Sequence, residues 1–565
     1  MHHSHNPTEV GRNALKAWKA SQPRSFFQQD RALQGAVARH LGAERYAALL
    51  PDLEAEGAAV AELEPKVEQL EHRSALPRLE RYDGIGNRTE SIAFDGTYHQ
   101  VGKVLYGTGV VSRLRDRGVA LETAALLYMN NQLGEAGHNC PIVCTMGAVR
   151  AIQEAGDPDL KERFLPGLLT REYGKHLHAA QFMTEVQGGS DVGLNGVRAL
   201  PNGNSGQLYA IVGEKWFCSN ANADLFLMTA RPDGAASGTA GLGLFLVPRI
   251  APWGALNEFT IRRLKEKLGT RAMASGEMDF TGAAGWSIGP VEHGFKTMMN
   301  HVINTSRLYN ASGCLGMSRR ALTVASTYAQ HRVAFGQPIA RYPLVQESLA
   351  DMRAEHEVLL HGHLHLAALR DRIDLGLASE EELGFFRVAL NLNKFRTSVS
   401  AGEVIRTAIE LLGGNGAIES FSPLPRLLRD NVVYENWEGT HNTLYMQVLR
   451  DMARLDVGRA FLGELARRFQ AVGSERGAAA VQELGAALRR LSDASPGLQS
   501  LAMRPLAHRM SSVMALCAAL EQAAHEGDPR TAALAEHFAA RHLGRPLSLP
   551  TDADLGRLQA LAEDE

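Results

Sequence analysis

Glu438 lies within Tyr434-Glu435-Asn436-Trp437-Glu438-Gly439-Thr440-His441-Asn442, a stretch whose residue types suit proton abstraction. A carboxylate among apolar and aromatic neighbours loses hydration, which raises its proton affinity, and a following glycine leaves room for a substrate. Glu435 is the rival carboxylate, and it equally suits a surface position or a salt bridge. Four other stretches could hold a ligand beside such a base. Phe182-Met183-Thr184-Glu185-Val186-Gln187-Gly188-Gly189-Ser190-Asp191 is dense in small donors, and its glycines allow close backbone approach to an anion or ring edge, although a Gly-Gly-Ser-Asp run also makes a plain turn. Glu214-Lys215-Trp216-Phe217-Cys218-Ser219-Asn220 sets an indole beside a hydroxyl, a flat wall with a polar edge, though a strand Trp also serves as core. Arg332 ends a helical pattern ahead of Phe335-Gly336-Gln337-Pro338, with Gln346 downstream; such an Arg grips a pyrophosphate or caps a solvated helix. Gly413-Gly414-Asn415-Gly416 ends a helix or admits a cofactor closely.

The elements that must position these residues change character along the chain. Residues 31–177 are rich in Ala, Leu, Glu and Arg at helical spacing, interrupted by a loop over 83–96. Short β-type runs follow at 208–217, 225–230, 242–247 and 259–264, separated by Gly, Pro, Asn and Asp, and predict a small antiparallel β-domain. Helical periodicity returns over 295–332, 344–372 and 380–412, long enough for a four-helix bundle with 443–454. A further helical region extends beyond 455, broken at Ser495-Pro496-Gly497 and at Pro505, and ends in an acidic tail. The expected architecture is α+β, mainly α, with boundaries at 1–178, 179–288, 289–454 and 455–565.

Composition narrows the function. The 59 basic and 62 acidic residues leave a formal charge of -3, so no global attraction to nucleic acid or anionic lipid is expected. The start of the chain carries no apolar leader and no run is long enough to span a bilayer, which predicts a cytoplasmic protein. Five scattered cysteines fit a reducing compartment rather than a disulfide scaffold. Cys140 and Cys144 share helical spacing and read as buried packing; His361, His363 and His365 alternate along a helix and do not converge; His2, His3 and His5 read as a solvated terminus. No metal is assigned.

Taken together, MTEVQGGSD, KWFCSN, RVAFGQP with its downstream Gln, LLGGNG and WEGTHN resemble, in order and approximate spacing over residues 95–450, the acyl-CoA dehydrogenase family. CPIVCT, MTEVQGGSDV, KLGTRAMAS and NWEGTHN look most like its AidB-type, adaptive-response branch, whose members also carry an added C-terminal helical region. The resemblance implies a helical domain, a β-barrel-like domain and a helical bundle, a homotetramer, and FAD between β-domain and bundle. It places Phe182, Met183, Thr184, Gly189 and Ser190 near flavin and pyrophosphate and Trp216 and Ser219 against the ring. Arg332, Phe335, Gln346, Gly413 and Gly414 would reach a neighbouring subunit's FAD, with Thr440 and Asn442 as further contacts. It makes Glu438 the base: the thioester carbonyl is polarised by the Glu438 N–H and a ribityl hydroxyl, the α-proton goes to Glu438 and the β-hydride to flavin N5, giving a trans-2-enoyl-CoA. Some members supply the base beside the Arg matching Arg307, but here that neighbour is Ser306. Glu410, Ala417 and Val186-Gln187 depart from the common family pattern. A medium- or long-chain acyl-CoA is the expected substrate and an electron-transfer flavoprotein the expected acceptor. The alternative is a DNA-associated, AidB-like protein with vestigial dehydrogenase activity, resting on Arg459, Arg467, Arg468, Arg476, Arg489, Arg490, Arg504 and Arg509, among which acidic residues are interspersed.

Overall fold

A run rich in β-branched and aromatic residues over Leu208–Ser219 and an apolar run over Leu225–Pro232 give two strands of a closed β-barrel. The computed structural model describes residues 7–202 and 207–562, so His2, His3 and His5 lie outside the described residues, as do the last three of the acidic tail. The chain divides into two compact units, Glu62–Val119 with Leu133–Tyr309, and Met1–Ala61 with Ala120–Gln132 and Asn310–Glu565.

In the first of these units the strands are β1 (Arg78–Tyr82), β2 (Arg88–Ala93), β3 (Ala179–Phe182), β4 (Arg198–Pro201), β5 (Leu208–Ser219), β6 (Leu225–Pro232), β7 (Gly243–Pro248), β8 (Phe259–Leu264) and β9 (Ser275–Ser287). Strands β6, β4, β5, β9 and β7 pair in a closed ring, with β3 added on β6 and β8 on β9. Phe182, Phe226, Phe245, Phe259, Phe280 and Ile211 fill the interior. The sheet is not wholly antiparallel as expected: β3 and β4 flank β6 and both run parallel to it, because each joins it through a long connection rather than a hairpin. Strand β9 escaped the sequence pattern because Gly276, Gly282, Ala283, Ala284 and Gly285 have low strand propensity. Its small residues are needed at close approaches; a Cβ on Gly285 would stand 2.7 Å from Val247.

The expected loop over 83–96 is instead mostly a hairpin. β1 and β2 pair antiparallel around Asp83, whose carboxylate accepts from the Ile85 and Asn87 amides. The polar β1 sequence hides it from apolar periodicity, and its partners are distant in sequence: the Ile261 amide donates to Glu90 at 2.8 Å and Arg88 donates to the Phe259 carbonyl at 2.8 Å. Helix Ala136–Ala155 buries Cys140 and Cys144 with their Sγ atoms 4.0 Å apart. All five cysteines are buried free thiols.

The other unit is built on the helix Asn304–His331 from Asn310 onward, Pro343–Asp374, Glu380–Leu411 and His441–Leu455, close to the four expected helices. Ser379 and Glu382 form a capping box that starts the third. A short helix, Leu424–Asn436, stands apart from the expected set. The buried His363 is satisfied as a core residue, its two ring nitrogens bonded to Ser312 at 2.7 Å and Asn393 at 3.2 Å. The added region supplies Val457–Ala471, Glu475–Ser492, Pro496–Glu526, Pro529–Leu543 and Asp552–Ala562. The expected break at Ser495-Pro496-Gly497 falls between two helices, but Pro505 does not break Pro496–Glu526. Met503, Leu506, Ala507 and Met510 around it are buried, and that packing overrides the loss of one helical hydrogen bond. This helix and Pro529–Leu543 pack on Pro343–Asp374, tied by Glu357–Arg530 at 2.6 Å and Glu355–His542 at 2.7 Å. Among the described residues no helix is long and apolar enough to cross a membrane, and no His, Cys, Asp and Glu cluster could hold a metal.

Asp371 caps the helix Ala120–Asn131 from a distant element, accepting from the Ala120 and Leu121 amides, and burial pushes its carboxyl up to about 6. Between its ordinary value and about 6 the folded protein binds more protons than the unfolded chain, so stability falls as pH rises through that window. Asp371→Asn keeps a carbonyl acceptor and lacks the charge. Its unfolding free energy relative to wild type is expected to improve by roughly 2 kcal/mol between pH 4 and pH 7, measured by thermal melts across that range.

Candidate functional site

The loop after β3 is built on a buried ion pair. Lys215 on β5 is wholly inaccessible, and its Nζ lies 2.8 Å from the Glu185 carboxylate and 3.2 Å from the Met183 carbonyl. Glu185 also accepts from the Gly196 amide at 2.6 Å and from Gln187 at 2.7 Å, so the Val186-Gln187 departure brings its own hydrogen bond into the loop. Burial pulls the Lys215 ammonium below its ordinary value, against the opposing pull of Glu185. Gly188 closes a bridge with Glu185, and a Cβ there would meet the Asp191 carbonyl at 2.4 Å; its small size serves the loop's own turn rather than ligand approach.

Around this frame the Trp216 amide donates to the Thr184 carbonyl at 3.0 Å, and Gly189 lies against the Thr184 side chain. The Trp216 indole is half-buried, and the Lys265 ammonium stands 3.6 Å from its ring centroid. The Phe182 side chain is buried in the barrel core and stacks on Phe226 at 5.2 Å, so a contact with a cofactor would have to come from its backbone. Ser306 is buried and bonded to Gln181, with no acidic group to act as a base.

In the bundle unit the remaining residues form two groups. Arg332, at the end of Asn304–His331, lines a cleft of about 250 Å³ with Val10, Leu15, Trp18, Tyr328 and His331. Beside it β10 (Val333–Ala334) and β11 (Gln337–Pro338) form a hairpin whose tip carries Phe335. Phe335 is 98 % exposed and holds φ 51°. Tyr342 donates to the Ala334 and Phe335 carbonyls, and Gln346 donates to Ala340, fixing the hairpin's base. The Gly-rich turn joins this corner through Asn415, which donates to the Tyr328 hydroxyl at 3.3 Å; Gly413 and Gly414 face open space where a side chain would stand.

The second group is the turn after Leu424–Asn436. Glu438 is half-buried at φ 58° and Gly439 follows at φ 108°, a left-handed pair that costs about 1–2 kcal/mol at the non-glycine residue. The rival Glu435 accepts from Asn431 at 3.0 Å and pairs with His441 at 3.4 Å, engaging both carboxylate oxygens. Its backbone carbonyl and that of Gly439 accept from Lys394. Thr440 and Asn442 are exposed at the start of His441–Leu455, and the Thr440 hydroxyl bonds that of Thr443 at 3.0 Å. Sequence reasoning missed Glu185, Lys215 and Lys394 as working residues. With Arg387, Asn391, Asn393 and Arg396 around it in sequence, Lys394 carries no local signal that marks it out.

Glu185→Gln leaves the Lys215 ammonium buried without its counter-charge, which costs about 3–5 kcal/mol. Thermal unfolding should shift down accordingly, and flavin absorbance per protein should fall in the purified variant.

Three domain families match the chain: the Adaptive response protein AidB N-terminal domain over residues 18–175, the middle domain of acyl-CoA dehydrogenase over 180–283, and its C-terminal domain over 292–453. Acyl-CoA dehydrogenase family member 11 of Caenorhabditis elegans is 31% identical over 75% of this chain and 70% of its own. The putative acyl-CoA dehydrogenase AidB of Escherichia coli K12 is 33% identical over 66% of this chain and 69% of its own. The crystal structure of C. elegans ACDH-11 in complex with C11-CoA superposes with a TM-score of 0.85 at 26% identity, covering 95% of this chain and 94% of that one. Domain order, fold and these relatives agree with the motifs: the chain belongs to the acyl-CoA dehydrogenase family of FAD-dependent oxidoreductases.

Proposed function

We propose that the protein oxidises a medium- or long-chain acyl-CoA to its trans-2-enoyl-CoA, with Glu438 as the base. The carrying observation is the Glu438 turn: its backbone is held left-handed beside glycine, while Glu435 is engaged with Asn431 and His441. The Glu438 amide hydrogen-bonds the thioester carbonyl, which acidifies the α-C–H, and the carboxylate takes the α-proton. Bound FAD supplies the two-electron acceptor for the β-hydride. Thr184, Ser190, Trp216 and Ser219 hold its ring end and Met183 and Gly189 border it. The C11-CoA bound by ACDH-11 supports an acyl chain of that order.

A 98 % exposed Phe335 on a rigid hairpin, beside Arg332 and open-faced Gly413 and Gly414, supports a homotetramer in which this corner covers another subunit's FAD. An electron-transfer flavoprotein is the proposed electron acceptor and the cytoplasm the proposed location. The four-part division of the chain at residues 178, 288 and 454 remains the proposed domain organisation.

A second reading, DNA binding through the C-terminal region, rests on the arginines of that region. The structure leaves that region fewer free charges than its sequence suggests. Arg459, Arg467, Arg468, Arg476 and Arg509 pair with Asp456, Glu464, Glu521, Glu536 and Glu483, while Arg489, Arg490 and Arg504 are exposed.

Anaerobic titration with saturated acyl-CoAs of increasing length should bleach the flavin of the wild type, and Glu438→Gln should slow that bleaching by about 10³-fold. Bleaching that persists in the variant, or none in the wild type, sinks the assignment. For the second reading, binding to duplex DNA should be lost between about 50 and 200 mM salt and weakened by replacing Arg489, Arg490 and Arg504; absence of binding at low salt removes it.

A further inference from the structure

Lys394 sits in the middle of the Glu380–Leu411 helix with its side chain wholly inaccessible to solvent. Its Nζ donates to the Glu435 carbonyl at 2.8 Å and the Gly439 carbonyl at 3.0 Å. Burying an ammonium is unfavourable unless acceptors surround it, so these bonds fix both the cation and the carbonyls. The Glu435 carbonyl belongs to the last turn of Leu424–Asn436, where in-helix donors run out and the helix dipole favours a cation. The Gly439 carbonyl lies just beyond Glu438. One ammonium therefore holds both flanks of the residue that must keep φ 58°. Asn431 also ties this helix to Glu380–Leu411, donating to the Ser398 carbonyl at 3.1 Å, but that bond lies before the turn and cannot restrain its far side.

We propose that Lys394 is a positioning residue for the dehydrogenation: by clamping the carbonyls of Glu435 and Gly439 it fixes the left-handed Glu438 backbone, and with it the amide and carboxylate that meet the thioester. The proposal rests on the reading of Glu438 as the base. The bonds from Lys394 to Glu435 and Gly439 are to main chain, so what they do to Glu438 is geometric. Small displacements of a reacting group reduce rate far more than they reduce binding.

The test uses the FAD-loaded full chain with Lys394→Met, which lacks the donors, and Lys394→Gln, which retains one donor group. Stopped-flow reduction with the straight-chain acyl-CoA that best bleaches the wild type gives the limiting rate and the dissociation constant separately. Lys394→Met should lower the limiting rate by about 100-fold while the dissociation constant changes less than about threefold, with Lys394→Gln between the two. Hydrogen exchange should rise in peptides covering residues 435–442 and stay unchanged in the rest of the bundle. Wild-type rates in both variants overturn the proposal, as does a joint loss of rate, affinity and bundle-wide protection in both, which marks a core residue only. Should Glu438→Gln bleach like the wild type, the base assignment fails by itself. The exchange data then decide: unchanged protection at 435–442 overturns the clamp, and raised exchange confined there leaves it holding a turn that serves another group.

Discussion

An ammonium taken out of water demands oxygen atoms around it, and this protein places two such ammoniums directly behind the loop after β3 and the Glu438 turn. Lys215 lies under the loop after β3 and reaches Glu185 and the Met183 carbonyl; Lys394 lies under the Glu438 turn and reaches two carbonyls. Both side chains are fully buried. Loops that face a ligand expose their polar side chains outward, so their backbone oxygens on the inner side need donors from the core. A lysine extends far enough from a strand or helix to supply them. The difference between the two sites follows from what each must hold. The β3 loop has a carboxylate pointing inward, which balances the charge, whereas the Glu438 turn offers carbonyl dipoles and the end of a helix.

The same logic explains why motif positions were legible and their supports were not. Glu438, Thr184, Trp216, Arg332 and the paired glycines stand in short runs whose composition is unusual, so sequence alone locates them. Lys215 and Lys394 stand 30 and 41 positions from their partners, and other charges lie close to each in sequence, Glu214 beside the first and Arg387 and Arg396 near the second. Nothing local in a sequence announces a contact of that range. Phe182 shows the converse limit: being within a motif says nothing of which face of a strand a side chain takes, and β3 turns it inward.

The fold divides along similar lines. The long helices were recovered almost to the residue at Glu380–Leu411, which a capping box starts, and at Pro343–Asp374, which opens on a proline. Strand β9 was not, although it pairs with β5, β7 and β8, because its place depends on small residues that let neighbouring strands approach. Pro505 is a further case in which tertiary packing outweighs a local rule, and hairpin β1–β2 is held by its own Arg88 and Glu90 side chains reaching barrel backbone rather than by apolar alternation.

The C-terminal arginines carry the argument one step further. Arg468 is buried, and with Arg39 it holds Glu521 on the helix Pro496–Glu526; burial, Arg468 and Arg39 set that carboxyl, and the guanidiniums keep it below its ordinary value. Arg530 and His542 reach Glu357 and Glu355 on Pro343–Asp374. A charge engaged in this way fixes helices to one another and cannot at the same time neutralise a phosphate. Counting basic residues therefore overstates the nucleic-acid affinity of a helical surface, because each intramolecular pair removes one counterion that DNA binding would release. What the added region does measurably in this fold is to brace Pro343–Asp374, whose neighbour Glu380–Leu411 carries Lys394 behind the Glu438 turn.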